Sequence, residues 1–144
     1  MQISTLKEEH LEQIYQIEQT SFSSPWSYQA YKDEISNPLA HYLVLEEASC
    51  VLAYGGFWKI MDEGHITNVA VAPNSRRLGY GSTLLQALIK KAKTLEIHSL
   101  TLEVRASNKA AQALYTKFGF KSCGLRPVYY PDGEAAMIMW LEEI

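Results

Sequence analysis

The segment that most constrains the fold runs from His65 to Arg105. His65–Ala72 is rich in branched residues and reads as a strand, closed by Pro73. Gly79–Thr94 then takes up a helical period, with Leu84, Leu85, Leu88 and Ile89 on one side. Ser99–Arg105 returns to alternation as a strand, Asn108–Phe118 is another helix, and Phe120–Tyr129 and Ala135–Leu141 are closing strands. Strands separated by helices need crossover connections, so part of the sheet must be parallel.

The first half implies a different pairing. Met1–Leu6 reads as a short strand and Lys7–Ser21 as a helix whose Leu11, Ile14, Tyr15 and Ile17 form a sided apolar set. Ser23-Ser24-Pro25-Trp26-Ser27 breaks it. Ser27 can N-cap a short helix to about Ile35, which Asn37-Pro38 stops. His41–Glu47 and Cys50–Ile60, joined by a tight turn at Ala48-Ser49, look like an antiparallel hairpin. The expectation is an α/β (α+β) chain with a mixed central β-sheet of six to seven strands and about four helices. At 144 residues, with no repeat, low-complexity tract or linker, it reads as one domain over 1-144.

Bulk properties exclude several function classes. A formal charge of −3 and a pI near 5.8 argue against nucleic acid and fit poorly with a membrane surface. No apolar run approaches a membrane span and MQISTLKEEH lacks a signal-type apolar stretch, so a cytoplasmic protein is expected. His10, His41, His65 and His98 have no ligand-type spacing, so no metal site is expected. Cys50 and Cys123 lie far apart among apolar residues and read as free, buried thiols.

Chemistry concentrates after the strand that ends at Ala72. There Pro73-Asn74-Ser75-Arg76-Arg77-Leu78-Gly79-Tyr80-Gly81-Ser82-Thr83 opens the helix. A glycine-bearing turn at a helix start offers unpaired N–H groups at the positive end of the dipole, which suits a pyrophosphate. Arg76 and Arg77 add charge at its mouth. No Gly-Lys-Ser/Thr follows, and the dinucleotide fingerprint is incomplete. On spacing alone, glycines that merely shape the turn explain the pattern equally well.

Arg76-x-x-Gly79-x-Gly81, preceded by Asn68-Val69-Ala70-Val71 and Pro73, resembles the acetyl-CoA motif of the GCN5-related N-acetyltransferases (GNAT). Glu103-Val104-Arg105-Ala106-Ser107-Asn108, Ala113-Leu114-Tyr115 and Phe118-Gly119-Phe120 follow in that family's order and spacing, so the resemblance covers nearly the whole chain. It implies the GNAT fold, with the sheet splayed at the acetyl-CoA site. It also implies that backbone groups of Val69, Ala70 and Val71 meet the pantetheine arm. Arg76, Arg77, Leu78, Gly79, Tyr80, Gly81, Ser82 and Thr83 would then hold the pyrophosphate. One freed N–H would act as an oxyanion donor to the thioester carbonyl.

Acetyl transfer to an amine needs a base for the ammonium and an acid for the departing thiolate. Glu103 alternates with Leu102 and Val104, so it faces away from the main apolar stripe. Within the family, the chain is most similar to the ribosomal-protein alanine N-acetyltransferases (RimI type), and this likeness implies Glu103 as base and Tyr115 as acid. Read without it, Glu103 is a sheet-face carboxylate paired with Arg105 or a surface charge, and Tyr115 an amphipathic wall residue. Glu63, His65 and Glu134 are reserve candidates for the base. Asn108 is an N-cap by position, and the resemblance sets it near the pantetheine or phosphates.

Three aromatic-rich places remain: Phe22 to Ser27, Phe57-Trp58, and Arg126-Pro127-Val128-Tyr129-Tyr130-Pro131-Asp132-Gly133. They are hairpin and core aromatics, or the first and last close over an extended peptide terminus. The resemblance favours the second reading, with Phe22, Trp26, Arg126, Tyr129 and Tyr130 binding the N-terminus of an acceptor protein, a ribosomal one. The alternatives are a small-molecule amine acceptor and a non-catalytic acyl-CoA-binding module. A monomer or weak dimer is expected.

Overall fold

The structure, a computed structural model, describes residues 1–144. Its centre is one seven-stranded sheet built from β1 (Gln2–Thr5), β2 (Ala40–Glu47), β3 (Cys50–Ile60), β4 (Glu63–Val71), β5 (Ser99–Arg105), β6 (Lys121–Arg126) and β7 (Ala136–Glu142). The spatial order is β1-β2-β3-β4-β5-β7-β6. Only β4 and β5 pair in parallel; every other neighbour is antiparallel. The helices are α1 (Leu11–Ser21), α2 (Tyr28–Ile35), α3 (Tyr80–Thr94) and α4 (Lys109–Lys117).

Local chemistry accounts for most boundaries. The Ser27 hydroxyl accepts the Ala30 N–H, and the Asn108 side chain accepts the Ala111 N–H, so both helices start on side-chain caps. Ala48 and Ser49 take φ of 50° and 66°, the left-handed pair that matches a two-residue turn to strand twist. The helix expected over Lys7–Ser21 divides into a 3-10 turn, Glu8–His10, and α1. The strand expected to reach Tyr129 ends at Arg126, because Pro127 has no N–H for a ladder and Val128 sits at φ 49°.

The sheet separates two cores. On one face, Leu84, Leu85, Leu88 and Ala92 of α3 pack on Leu45, Phe57, Ile66, Leu100 and Leu102. Each buried leucine there is worth about 1.5–3 kcal/mol of transfer energy. On the other face, Leu11, Ile14 and Ile17 of α1 and Tyr31 of α2 cover Tyr42, Val44 and Tyr54. Cys50 and Cys123 are free but exposed, which corrects the buried reading. Cys50 starts a hairpin strand and Cys123 lies on the outer strand β6, where the apolar neighbours in sequence do not cover them.

Two irregularities shape the centre. β4 and β5 share only the pairs Glu63↔Ser99, Gly64↔Leu100 and His65↔Thr101, then diverge although both continue. On its other edge β4 bulges, since Gly56 pairs with Asn68 and Phe57 with Ile66, leaving Thr67 extra. A Cβ on Gly56 would overlap the Tyr42 ring, so only glycine fits opposite the bulge.

Candidate active site

The divergence of β4 and β5 opens a cleft of about 180 Å³ through the sheet. Its walls are Ile66 to Val69 of β4 and Leu102 to Arg105 of β5, with Tyr115 of α4 on one face and Glu18, Phe22, Trp26 and Tyr130 on the other.

The register decides which backbone groups face the opening. The Ala72 N–H donates to the Leu52 carbonyl, and Tyr54↔Ala70 and Gly56↔Asn68 continue that phase. Residues 68, 70 and 72 therefore bond to β3, whereas Val69 and Val71 turn their N–H and C=O toward the departed β5. In agreement, the Val71 carbonyl accepts from Arg76 Nε at 3.2 Å instead of from a strand. Val69 and Val71 thus have outward-facing backbone groups, and Ala70 does not.

The turn into α3 has the geometry of an anion cradle. Arg77 and Gly79 lie at φ of 66° and 83°, and Gly79 is the N-cap with no side-chain cap bond. The backbone N–H groups of Tyr80, Gly81 and Ser82 open the helix, and the first intrahelical bond runs from Thr83 N to the Gly79 carbonyl. Thr83 also donates its hydroxyl to that carbonyl, so it closes the turn rather than offering a donor. Arg76 is tied back to Val71 and to Ser21 Oγ at 2.9 Å, while Arg77 and Leu78 are exposed at the mouth. Lys117 of α4, which sequence reasoning missed, reaches Ser82 Oγ at 3.3 Å.

Glu103 and Tyr115 both line the cleft. Neither side chain has a hydrogen bond or ion pair to the protein, and no fully buried polar atom is left without a partner. Burial, with a smaller contribution from Tyr130, pushes the Tyr115 phenol well above its ordinary range, so it stays protonated. Glu103 is not paired with Arg105. That guanidinium binds Asp132 and Glu134 at 2.8 Å each and Ser23 Oγ at 2.9 Å, and lies 4.1 Å from the Tyr130 ring centre. Arg105 thereby joins the α1–α2 loop to the β6–β7 loop across the cleft.

The reserve bases are elsewhere. Glu63 and His65 pair with each other at 3.6 Å, where β4 and β5 are still joined. The Ser107 amide and the Arg105 guanidinium hold the Glu134 carboxyl down at about 2. Asn108 lines the cleft as well as capping α4. Phe22, Trp26 and Tyr130 reach the cleft, whereas Tyr129 stacks edge-on against Tyr130 and under Arg126 outside it. Phe57 is core, and Trp58 Nε1 donates to Glu34 at 2.6 Å.

Sequence reasoning also missed Glu18. It lies four residues after Ile14 and seven after Leu11, so a carboxylate on the apolar stripe of α1 was the available signal.

A cleft between parting parallel strands is open to both faces of the sheet, so two substrates can meet in it from opposite sides. Backbone donors on one wall and an unengaged carboxylate and phenol at the throat suit group transfer in a splayed-sheet α/β fold. The chain belongs to the acetyltransferase (GNAT) family, whose model matches residues 11–120.

It is 41% identical over 141 residues to a Bacillus subtilis (strain 168) protein provisionally named a ribosomal protein bS18-alanine N-acetyltransferase, covering 96% of this chain and 93% of that one. The crystal structure of the ribosomal-protein-S18-alanine N-acetyltransferase from Escherichia coli matches with a TM-score of 0.90 and 36% identity, over 99% of this chain and 93% of that one. Ard1 from Thermoplasma volcanium matches with a TM-score of 0.92 and 28% identity, over 99% and 97%.

Proposed function

We propose that this acetyltransferase moves acetyl from acetyl-CoA to the N-terminal α-amine of alanine on ribosomal protein bS18, by direct attack in a ternary complex. The acceptor is read from what the relatives in Bacillus subtilis and Escherichia coli are named for. The carrying observation is the cleft itself, with Glu103 and Tyr115 unengaged at its throat. The outward backbone of Val69 and Val71 and the free N–H groups at the start of α3 fit a pantetheine arm and its pyrophosphate.

In this reading Glu103, directly or through water, takes the proton of the acceptor ammonium. The freed nitrogen lone pair attacks the thioester carbonyl carbon, and the Val69 N–H stabilises the oxyanion. The C–S bond then breaks, its electron pair stays on sulfur, and Tyr115 gives that sulfur a proton. The second proton, shed by the nitrogen as it becomes an amide, restores the Tyr115 phenol, and Glu103 passes the first to solvent. An α-amine, with a pKa near about 8 against about 10.4 for lysine, needs only a modest base. Glu18 and Glu103 make the throat acidic while Arg105 is already neutralised by two carboxylates, which suits a cationic chain end. Phe22, Trp26 and Tyr130 would pack its first residues.

The test is incubation with acetyl-CoA and a peptide bearing the alanine N-terminus of bS18. One added acetyl group on the α-amine is expected. Turnover confined to small amines, with none on the peptide, would refute the acceptor assignment.

A further inference from the structure

Glu18 is 1% exposed, yet it lines the cleft. Its Oε1 accepts from the Tyr31 hydroxyl at 2.7 Å, the Tyr54 hydroxyl at 2.8 Å and the Asn68 amide, and its Oε2 accepts from the Trp26 N–H at 2.8 Å. Asn68 also donates to the Tyr31 oxygen at 2.7 Å. These donors come from α2, β3, β4 and the α1–α2 loop. Packing alone does not call for a carboxylate here, since Leu11 and Ile14 fill the same stripe with hydrocarbon and a buried charge costs desolvation.

The bulge explains what the carboxylate gains. Ile66 and Val69 pack toward α3, so the extra residue sends Thr67 and Asn68 together to the α1 face. There the Thr67 hydroxyl meets the Tyr42 hydroxyl at 2.6 Å, and Asn68 meets Glu18. The Asn68 carbonyl points at β3, where a Cβ on Gly55 would lie 2.8 Å from it. In a planar trans peptide the next N–H, that of Val69, points the opposite way, into the cleft. Whatever fixes Asn68 therefore aims the Val69 N–H.

We propose that Glu18 is a positioning residue that holds Asn68, and so the Val69 N–H, at the angle the thioester carbonyl needs, and holds the Trp26 amide of the acceptor loop in the same register. This rests on the reading that Val69 N–H is the oxyanion donor. Burial and the Glu18 charge raise both Tyr31 and Tyr54 far above the phenol range, so the two remain donors at every working pH.

The test compares Asn68→Ala and Glu18→Gln with the parent. The readouts are kcat, the peptide KM, the Kd for CoA, and the carbonyl stretch of bound carbonyl-labelled acetyl-CoA. In the parent the stretch should lie below that of free acetyl-CoA. Asn68→Ala should lower kcat about ten- to a hundredfold, leave the CoA Kd and peptide KM within about threefold, and return the stretch toward the free value. Glu18→Gln should add a rise in peptide KM, because Trp26 is released as well. If Asn68→Ala does not fold, the Tyr42→Phe/Thr67→Val pair, which removes both partners of the other pin, should move kcat and the stretch in the same sense. A parent-like stretch in folded Asn68→Ala, or in the substitute pair, overturns the positioning role alone. A parent with turnover but no lowered stretch overturns the oxyanion reading and this inference with it.

Discussion

Tyr115→Phe separates catalysis from packing at one atom. The Tyr115 ring is 6% exposed and meets Phe120 edge-on at 5.6 Å and 61°. Phenylalanine keeps that ring, and no protein hydrogen bond is broken because the hydroxyl has none. The stability change should therefore stay within about 0.5 kcal/mol. Loss of a general acid lowers kcat by about 10²–10⁴, or about 2.7–5.4 kcal/mol at about 1.36 kcal/mol per tenfold. Thiol release from acetyl-CoA in the presence of the bS18 peptide gives kcat, and a thermal melt gives stability. The thiolate of an acetyl thioester of an aromatic thiol departs without protonation, so the variant's deficit should shrink at least about tenfold with that substrate. The same deficit for both leaving groups, or a kcat within about threefold of the parent, would refute the acid role.

Further outcomes follow from the same geometry. Glu103→Gln should lower kcat by about 10²–10⁴ with an unchanged melt, since its carboxylate supports nothing else, and parent-like turnover would move the base elsewhere. Lys117→Ala should raise the acetyl-CoA KM about three- to tenfold through lost charge beside Ser82, yet spare acetyl-pantetheine, which has no phosphate. Equal effects on both substrates would remove Lys117 from phosphate binding. Glu134, depressed from 4.5 to about 2, binds its loop most firmly above its unfolded value. That contribution is lost as pH falls from about 4.5 toward about 2, so amide protection factors across residues 127–135, corrected for the intrinsic pH dependence of exchange, should fall over that window. Unchanged protection at pH 2 would break the link.

Much of the fold was legible because its causes are local. The alternation of Cys50–Ile60, the Ser27 and Asn108 caps, and the leucine stripe of α3 each depend on residues within a few positions. The exposure of Cys50 and Cys123 was not legible, because being an outer strand or a hairpin tip is a property of the assembled sheet. Glu103 and Tyr115 were singled out through the family resemblance of the motifs that hold them, but their freedom from other partners could not be read from the chain. Arg105 chose Asp132 and Glu134, 27 and 29 residues away, over its strand neighbour Glu103.

By itself, then, the sequence determined the order of strands and helices, the glycine turn at α3 and the residue types that acyl transfer needs. Period, capping and backbone freedom act within one turn or one strand, so they can be read along the chain. The parting of β4 from β5, the bulge at Thr67 and the gathering of four donors on Glu18 were decided only in three dimensions. Each depends on which backbone groups find partners across the sheet, a competition settled only when all the strands have packed.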